Sequence, residues 1–115
     1  MKYLCLAYGD EEDWTSLSET EQNILLAQDE ELRSKGHLVA AVQEAASVQV
    51  RDGEVSITCG PFGESPKPLA GFYIVSAADL NAAIQLVSNT PCARAGGAIE
   101  IRPVADAGED YAGNA

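Results

Sequence analysis

Two runs constrain this chain more than anything else in it: Tyr3-Leu4-Cys5-Leu6-Ala7 near the start and Leu69-Ala70-Gly71-Phe72-Tyr73-Ile74-Val75 beyond the middle. Each has strand character, yet both phases are apolar. In the first, Leu4 and Leu6 fall on one side and Tyr3, Cys5 and Ala7 on the other. Successive strand side chains point to opposite faces, so strands of this kind must be covered on both. Any fold for this chain has to supply those two covers.

The segments around these runs supply one of them. Residues 18–35 read as a helix. Ser18 with Glu21 three residues on forms a capping-box pattern, and Gly36 is a natural stop. Leu17, Ile24, Leu25, Gln28 and Leu32 make its inward stripe. A second strand follows at 37–42. Residues 48–51 and 54–58 flank Asp52-Gly53, a strong signal for a type I′ hairpin. A Gly- and Pro-rich loop at 60–68 leads into the strand at 69–76. Ser76, with Asp79 at the third position, is expected to cap a second helix with a Leu80, Ala83, Ile84, Val87 stripe that Pro91 ends. Residues 98–104 form a last strand. It turns Ile99 and Ile101 one way and Glu100 and Arg102 the other. Domain 1–104 is then followed by a polar, frayed tail at 105–115.

The order is β-α-β, a hairpin insertion, then β-α-β. This is the pattern of a ferredoxin-like α+β domain with both helices on one face of an antiparallel sheet. Two helices cover one face only. The remaining apolar face is expected to meet a second copy, giving a homodimer with a ligand cleft near the loops that rim the sheet.

The totals narrow the function. At 115 residues the chain is the size of one domain. Its formal net charge of −11 argues against nucleic acid and against anionic membranes, both of which need clustered Lys and Arg. No apolar run approaches the ~20 residues of a membrane span, and the first ten residues read as a strand rather than a signal peptide. Cys5, Cys59 and Cys92 are odd in number and widely spaced. They read as reduced thiols of a cytoplasmic protein, not a disulfide framework or zinc site. The Asp10-Glu11-Glu12-Asp13 run lacks the alternating ligands and Gly of a calcium loop and reads as a solvated helix face. With no Walker loop or Rossmann fingerprint, no cofactor is expected.

Lys2-Tyr3, Tyr8-Gly9-Asp10, Trp14, Glu31-Leu32-Arg33, Arg51-Asp52-Gly53, Gly60-Pro61-Phe62, Gly71-Phe72-Tyr73, Pro91-Cys92-Ala93-Arg94, Gly96-Gly97 and Glu100-Ile101-Arg102-Pro103-Val104 stand in this order along nearly the whole chain. In that order they resemble the YCII-related family, in the branch named for an Asp-Gly-Pro-Phe motif. The resemblance implies a ferredoxin-like fold and a dimeric α+β barrel. It implies little about activity. Some relatives are thought to be enzymes from a polar dyad in the cleft, and others are joined to sigma-factor-like regulators. The motif's leading Asp is Cys59 here. If that carboxylate is the family's acid or base, this chain lacks it.

The candidate site therefore gathers round the 60–68 loop, where Gly60 bares its backbone. Cys59 as a nucleophile would need a base, and His37 is the sole histidine. The competing reading makes Cys59 a small buried residue and His37 an exposed one at a helix end. Asp10, at the end of the first strand, is an acid or base if paired with His37 or Arg94, and otherwise a helix-leading carboxylate in water. Arg94 and Arg102 could clamp an anion or hold Arg–Glu pairs. Tyr8, Phe62, Phe72 and Tyr73 form the aromatic set. Phe72 and Tyr73 must face opposite sides of the sheet, and Tyr8 or Tyr73 could offer a phenol to a ligand. Trp14 is expected to pin the loop before the first helix. Two functions remain open. One is a module that binds a small polar molecule without chemistry, which the missing motif Asp favours. The other is a small acid–base enzyme.

Overall fold

The computed structural model describes residues 1–105. All but the first residue of the expected tail lies outside these residues. The elements are β1 (Lys2–Tyr8), α1 (Glu11–Thr15), α2 (Glu19–Ser34), β2 (Leu38–Ala41), β3 (Ala46–Arg51), β4 (Glu54–Cys59), β5 (Leu69–Ser76), α3 (Leu80–Val87), α4 (Pro91–Arg94) and β6 (Ala98–Pro103). The main sheet has strand order β2-β5-β1-β6, and every neighbouring pair is antiparallel. This is the ferredoxin-like βαββαβ arrangement, with β3 and β4 inserted as a separate hairpin between the second and third strands of the motif.

The doubly apolar strands lie in the middle of this sheet. On the helical side, Tyr3, Cys5 and Ala7 of β1 and Tyr73 and Val75 of β5 are buried with Leu32 of α2 and Ala83 and Val87 of α3. Full burial of a side chain of this size contributes about 1.5–3 kcal/mol, so this one layer holds most of the core. On the other side, Leu4, Leu6, Phe72 and Ile74 are only half-buried and Leu38 is exposed. The register places Leu38 beside Ile74, Ile74 beside Leu4 and Phe72 beside Leu6, so these residues form one apolar patch. Glu100 and Arg102 border it on β6, paired at 2.7 Å.

Local chemistry explains the element ends. Ser18 Oγ accepts from the Glu21 backbone N–H, and the Glu21 carboxylate accepts from that of Ser18, which is the expected capping box. Asp52 and Gly53 both have positive φ, 52° and 79°, as a type I′ turn requires.

Several expected boundaries move. Asp79, not Ser76, caps α3, because its carboxylate accepts from the Ala82 N–H at 2.8 Å while Ser76 stays in β5. The inward residues of α3 are Ala83 and Val87; Leu80 and Ile84 are exposed. Pro91 opens α4 rather than ending α3, consistent with its preset φ at a first helical position. Ile24 likewise leaves the α2 stripe for solvent. The acidic run at 10–13 forms a helix of its own, α1, with Asp10 as its cap.

Candidate functional site

Where β1, β5 and β2 end beneath the helices, a cavity of about 560 Å³ opens between the sheet, α1, α2 and α4. Its described walls come from one chain. The walls are mostly apolar: Ala7, Ala40, Ala41, Gly71, Phe72, Leu26 and Trp14. Five polar or titratable side chains interrupt them, namely Asp10, Glu11, Asp29, Arg33 and Cys92, with the Tyr73 phenol completing the set. A concave apolar site with a few convergent polar groups is the usual form of a small-molecule site.

The central polar contact is between Tyr73 and Asp29. The Tyr73 hydroxyl donates to Asp29 Oδ1 at 2.7 Å. Burial pushes the Asp29 carboxyl above the ordinary aspartate range, while the bond from Tyr73 and the charge of Arg33 oppose that push. Burial also drives the Tyr73 phenol well above its ordinary value, and the neighbouring Asp29 adds to this, so Tyr73 remains a donor at physiological pH. The Cys92 thiol is raised by burial first and by Asp29 second, which makes it a poor source of thiolate. Of the three, Asp29 is the group whose titration burial moves toward neutrality rather than away from it.

A second cluster stands beside the cavity. Lys67 Nζ donates to Asp10 Oδ2 at 2.9 Å and to Asp13 Oδ2 at 2.6 Å. It ties the 60–68 loop to α1, the helix that carries Trp14. Asp10 also accepts from the Asp13 backbone N–H at 2.9 Å. That bond and then Lys67 hold its carboxyl below the usual range. A carboxyl lowered in the folded state stabilises above its unfolded pKa of about 4 and loses that contribution as pH falls through the folded value. Asp10→Asn is therefore expected to melt below the wild type at neutral pH. The difference should close as pH falls below the carboxyl range, which thermal melts at stepped pH will show.

The sequence candidates divide by place. Asp10 and Tyr73 line the cavity; the rest stand elsewhere. His37 begins β2, where its Nδ1 accepts from the Ser76 N–H at 3.3 Å at the far end of that strand. Cys59 is exposed, neither packed as a small core residue nor beside His37. It pairs with Ala46 at the base of the hairpin. All three cysteines are free thiols. Burial pushes the Cys5 thiol up to about 11. Gly60 N–H donates to the Ala45 carbonyl at 2.8 Å and so closes the hairpin. Phe62 is exposed. Arg94 Nε donates to the Ser88 carbonyl at 3.1 Å and to Asn89 Oδ1 at 3.0 Å, and among the described residues it has no carboxylate partner. Arg102 makes the expected pair with Glu100. Tyr8 ends β1 opposite Ala98.

Asp29, Arg33, Trp14, Cys92 and Lys67 were not among the sequence candidates. A signal existed for Asp29. It lies four residues after Leu25 and three before Leu32, on the half-buried stripe of α2. A carboxylate at an inward helical position asks for a partner, but within the acidic stretch Asp29-Glu30-Glu31 it reads as one more solvated charge. Lys67 carried no local signal, since its partners lie more than fifty residues earlier.

Comparison with known proteins completes the description. A family model described as YCII-related domain matches residues 1–107. An uncharacterised protein of Rhizobium meliloti (strain 1021) is 28% identical over 115 residues, covering 91% of this chain and 93% of that protein. A solved structure of 5-chloro-2-hydroxyhydroquinone dehydrochlorinase from Burkholderia phenoliruptrix AC1100, in complex with 2,5-dihydroxybenzoquinone, aligns with 91% of this chain and 94% of its own. Its TM-score is 0.48 and its identity 16%. No described helix is long and apolar enough to cross a membrane.

Proposed function

We propose, from the premise that this chain belongs to the YCII-related family, that its cavity binds a small molecule with an apolar, flat body and a hydrogen-bonding group directed at Asp29. One observation carries this reading. A hydrogen-bonded Tyr73–Asp29 pair, with its carboxyl raised by burial, sits in an otherwise apolar hollow of about 560 Å³. Trp14 and Leu26 suit a ring or short chain, and Arg33 adds a cation. A second reading is acid–base catalysis on that molecule. The raised carboxyl favours it, because a general base works best with a pKa near the working pH.

The pair has a signature that needs no ligand. A folded carboxyl raised above its unfolded value is most stable below the unfolded pKa and loses stability as pH rises through the folded value. Asp29→Asn removes that loss and keeps an acceptor for Tyr73. Its melting temperature should exceed that of the wild type at neutral pH, and the excess should shrink in acid. Binding is then tested by thermal shift with a set of small aromatic and aliphatic hydroxy and keto compounds. Compounds that stabilise the wild type should lose most of that effect in Asp29→Asn and Trp14→Ala and keep it in His37→Ala. Stabilisation indifferent to both cavity variants would place the ligand elsewhere. Turnover lost in Asp29→Asn with binding retained would select the catalytic reading.

The open sheet face belongs to the same proposal. Leu4, Leu6, Phe72 and Ile74 are covered by a second copy in a homodimer, as the doubly apolar strands require. The cytoplasm is the proposed compartment, given three free thiols and no disulfide.

A further inference from the structure

The β3–β4 hairpin has two unlike faces. Its register pairs Ala46 with Cys59, Val48 with Ile57 and Val50 with Val55 on one face. Ser47 with Thr58, Gln49 with Ser56 and Arg51 with Glu54 share the other. The first face is wholly apolar, yet Val48, Val50, Val55 and Ile57 are 62%, 63%, 65% and 69% exposed. An isolated two-stranded hairpin is marginal in water, and its stability requires an apolar face against something. From this we infer that the hairpin is an arm whose apolar face closes on a second copy of this chain, extending the dimer beyond the flat sheet.

Three observations select a second copy as the occupant. The first is continuity. Leu38, Ala40, Val42, Ala46, Val48 and Val50 are all even-numbered, and Glu44 alone breaks the alternation. Leu38 and Ala40 belong to the open sheet face, so the pattern carries that face out along the arm. The second is size. Three apolar strands at ~4.8 Å spacing and about six residues long make a patch of roughly 15 by 20 Å, well short of the ~800 Å² that each partner gives a standard interface. The arm contributes a further two strands of six residues. At about 3.3 Å per residue it is roughly 20 Å long, twice the ~10 Å spacing of packed sheets, so it can reach past the facing sheet. The third is charge and polarity. With Arg51 beside Asp52 and Glu54, and −11 overall, the arm has no cationic face for nucleic acid or anionic lipid. Its unpaired strand edges also have no place in a hydrocarbon layer. The chain's own last residues, Asp106 to Ala115, carry little apolar content and follow β6, at the sheet edge opposite β2.

The inference rests on the homodimer proposed above, and the experiment separates the two. Sedimentation equilibrium over a concentration series is run on three full chains. These are the wild type, an arm variant with Val48→Lys and Ile57→Glu, and a sheet variant with Phe72→Lys. The arm substitutions are cross-strand and opposite in charge, so the hairpin pairing is kept while its apolar face is lost. The wild type is expected to dimerise, and the arm variant to dimerise roughly hundredfold more weakly at an unchanged melting temperature of the dissociated chain. Amide hydrogen exchange of residues 46–59 in the wild type should slow as the dimer forms. An arm variant that dimerises within threefold of the wild type, with Phe72→Lys monomeric, would overturn the arm and leave the sheet dimer standing. A wild type that stays monomeric with freely exchanging arm amides would overturn both, and would assign the arm to a different protein.

Discussion

Gly97→Val is expected to lower the stability of this chain by about 3 kcal/mol or more, at the upper end of what overpacking does. A Cβ at Gly97 would lie 1.9 Å from the Tyr8 carbonyl oxygen and 2.9 Å from that of Cys92. Both obstacles are backbone, so no rotamer change relieves them. Tyr8 belongs to the β1–β6 ladder beside Ala98, and Gly97 N–H donates to the Cys92 carbonyl at 3.0 Å. Any side chain at 97 must therefore part β6 from β1 or lift α4 from the sheet. Lifting α4 would also withdraw Cys92 from the cavity. Gly63→Ala is the control, since nothing lies within 4 Å of a Cβ there, and it should stay within about 0.5 kcal/mol of the wild type. Urea unfolding read with its slope will distinguish lost stability from a changed unfolded state. A Gly97→Val curve that overlays the wild type would mean that the α4–β6 joint yields easily and does not hold the cavity wall.

The fold was legible because its signals are periodic and local. Two strands apolar in both phases could only be central, and the register places β1 and β5 there. Asp52-Gly53 specified a turn through backbone geometry alone. Local rules also produced the misplaced helix start. Ser76 and Asp79 are both good caps, and the choice between them depends on how far β5 must run to pair with Lys2. Ladder pairing decided it, and pairing is not visible in a window of ten residues. The same limit applied to α1. Five residues are too few to hold a helix by propensity, and it stands because Asp10 caps it and Lys67 anchors it from a distant loop.

Of the site, only Tyr73 and Asp10 were legible. Tyr73 followed from the strand phase, since one of two adjacent aromatics had to face the helices. The Cys59–His37 pairing rested on both residues lying near strand ends, but they lie near different ends. β2 is four residues long, roughly 13 Å; His37 precedes it, and Cys59 lies beyond its other end, past the chain reversal of the arm. Asp29 was hidden by composition. In a chain with eighteen acidic residues, a carboxylate that faces inward differs from its neighbours only in helical phase. The arm shows the opposite case: its hairpin was plain in the sequence, and the exposure of its apolar face shows only in the structure.

Tyr73 is where fold and site meet, and its variants should separate the two. Tyr73→Ala empties a buried aromatic position beneath α2 and is expected to cost about 3–5 kcal/mol, as large-to-small core changes do. Tyr73→Phe keeps the ring and removes only the donor at 2.7 Å from Asp29. A hydrogen bond to a charged acceptor contributes about 1.5–3 kcal/mol. The phenylalanine variant should lose that amount above the Asp29 titration, where the carboxyl carries charge, and less below it, where it does not. The lost bond favoured the charged carboxylate, so the Asp29 carboxyl should rise further in Tyr73→Phe. Its titration, followed by carboxyl-sensitive NMR, would then move toward neutrality. Combined with Asp29→Asn in a double-mutant cycle, the two changes should be clearly non-additive at neutral pH and nearly additive in acid. If the cost of Tyr73→Phe is the same at both pH values, the phenol serves packing alone. The polar floor on which the binding reading depends would then be absent.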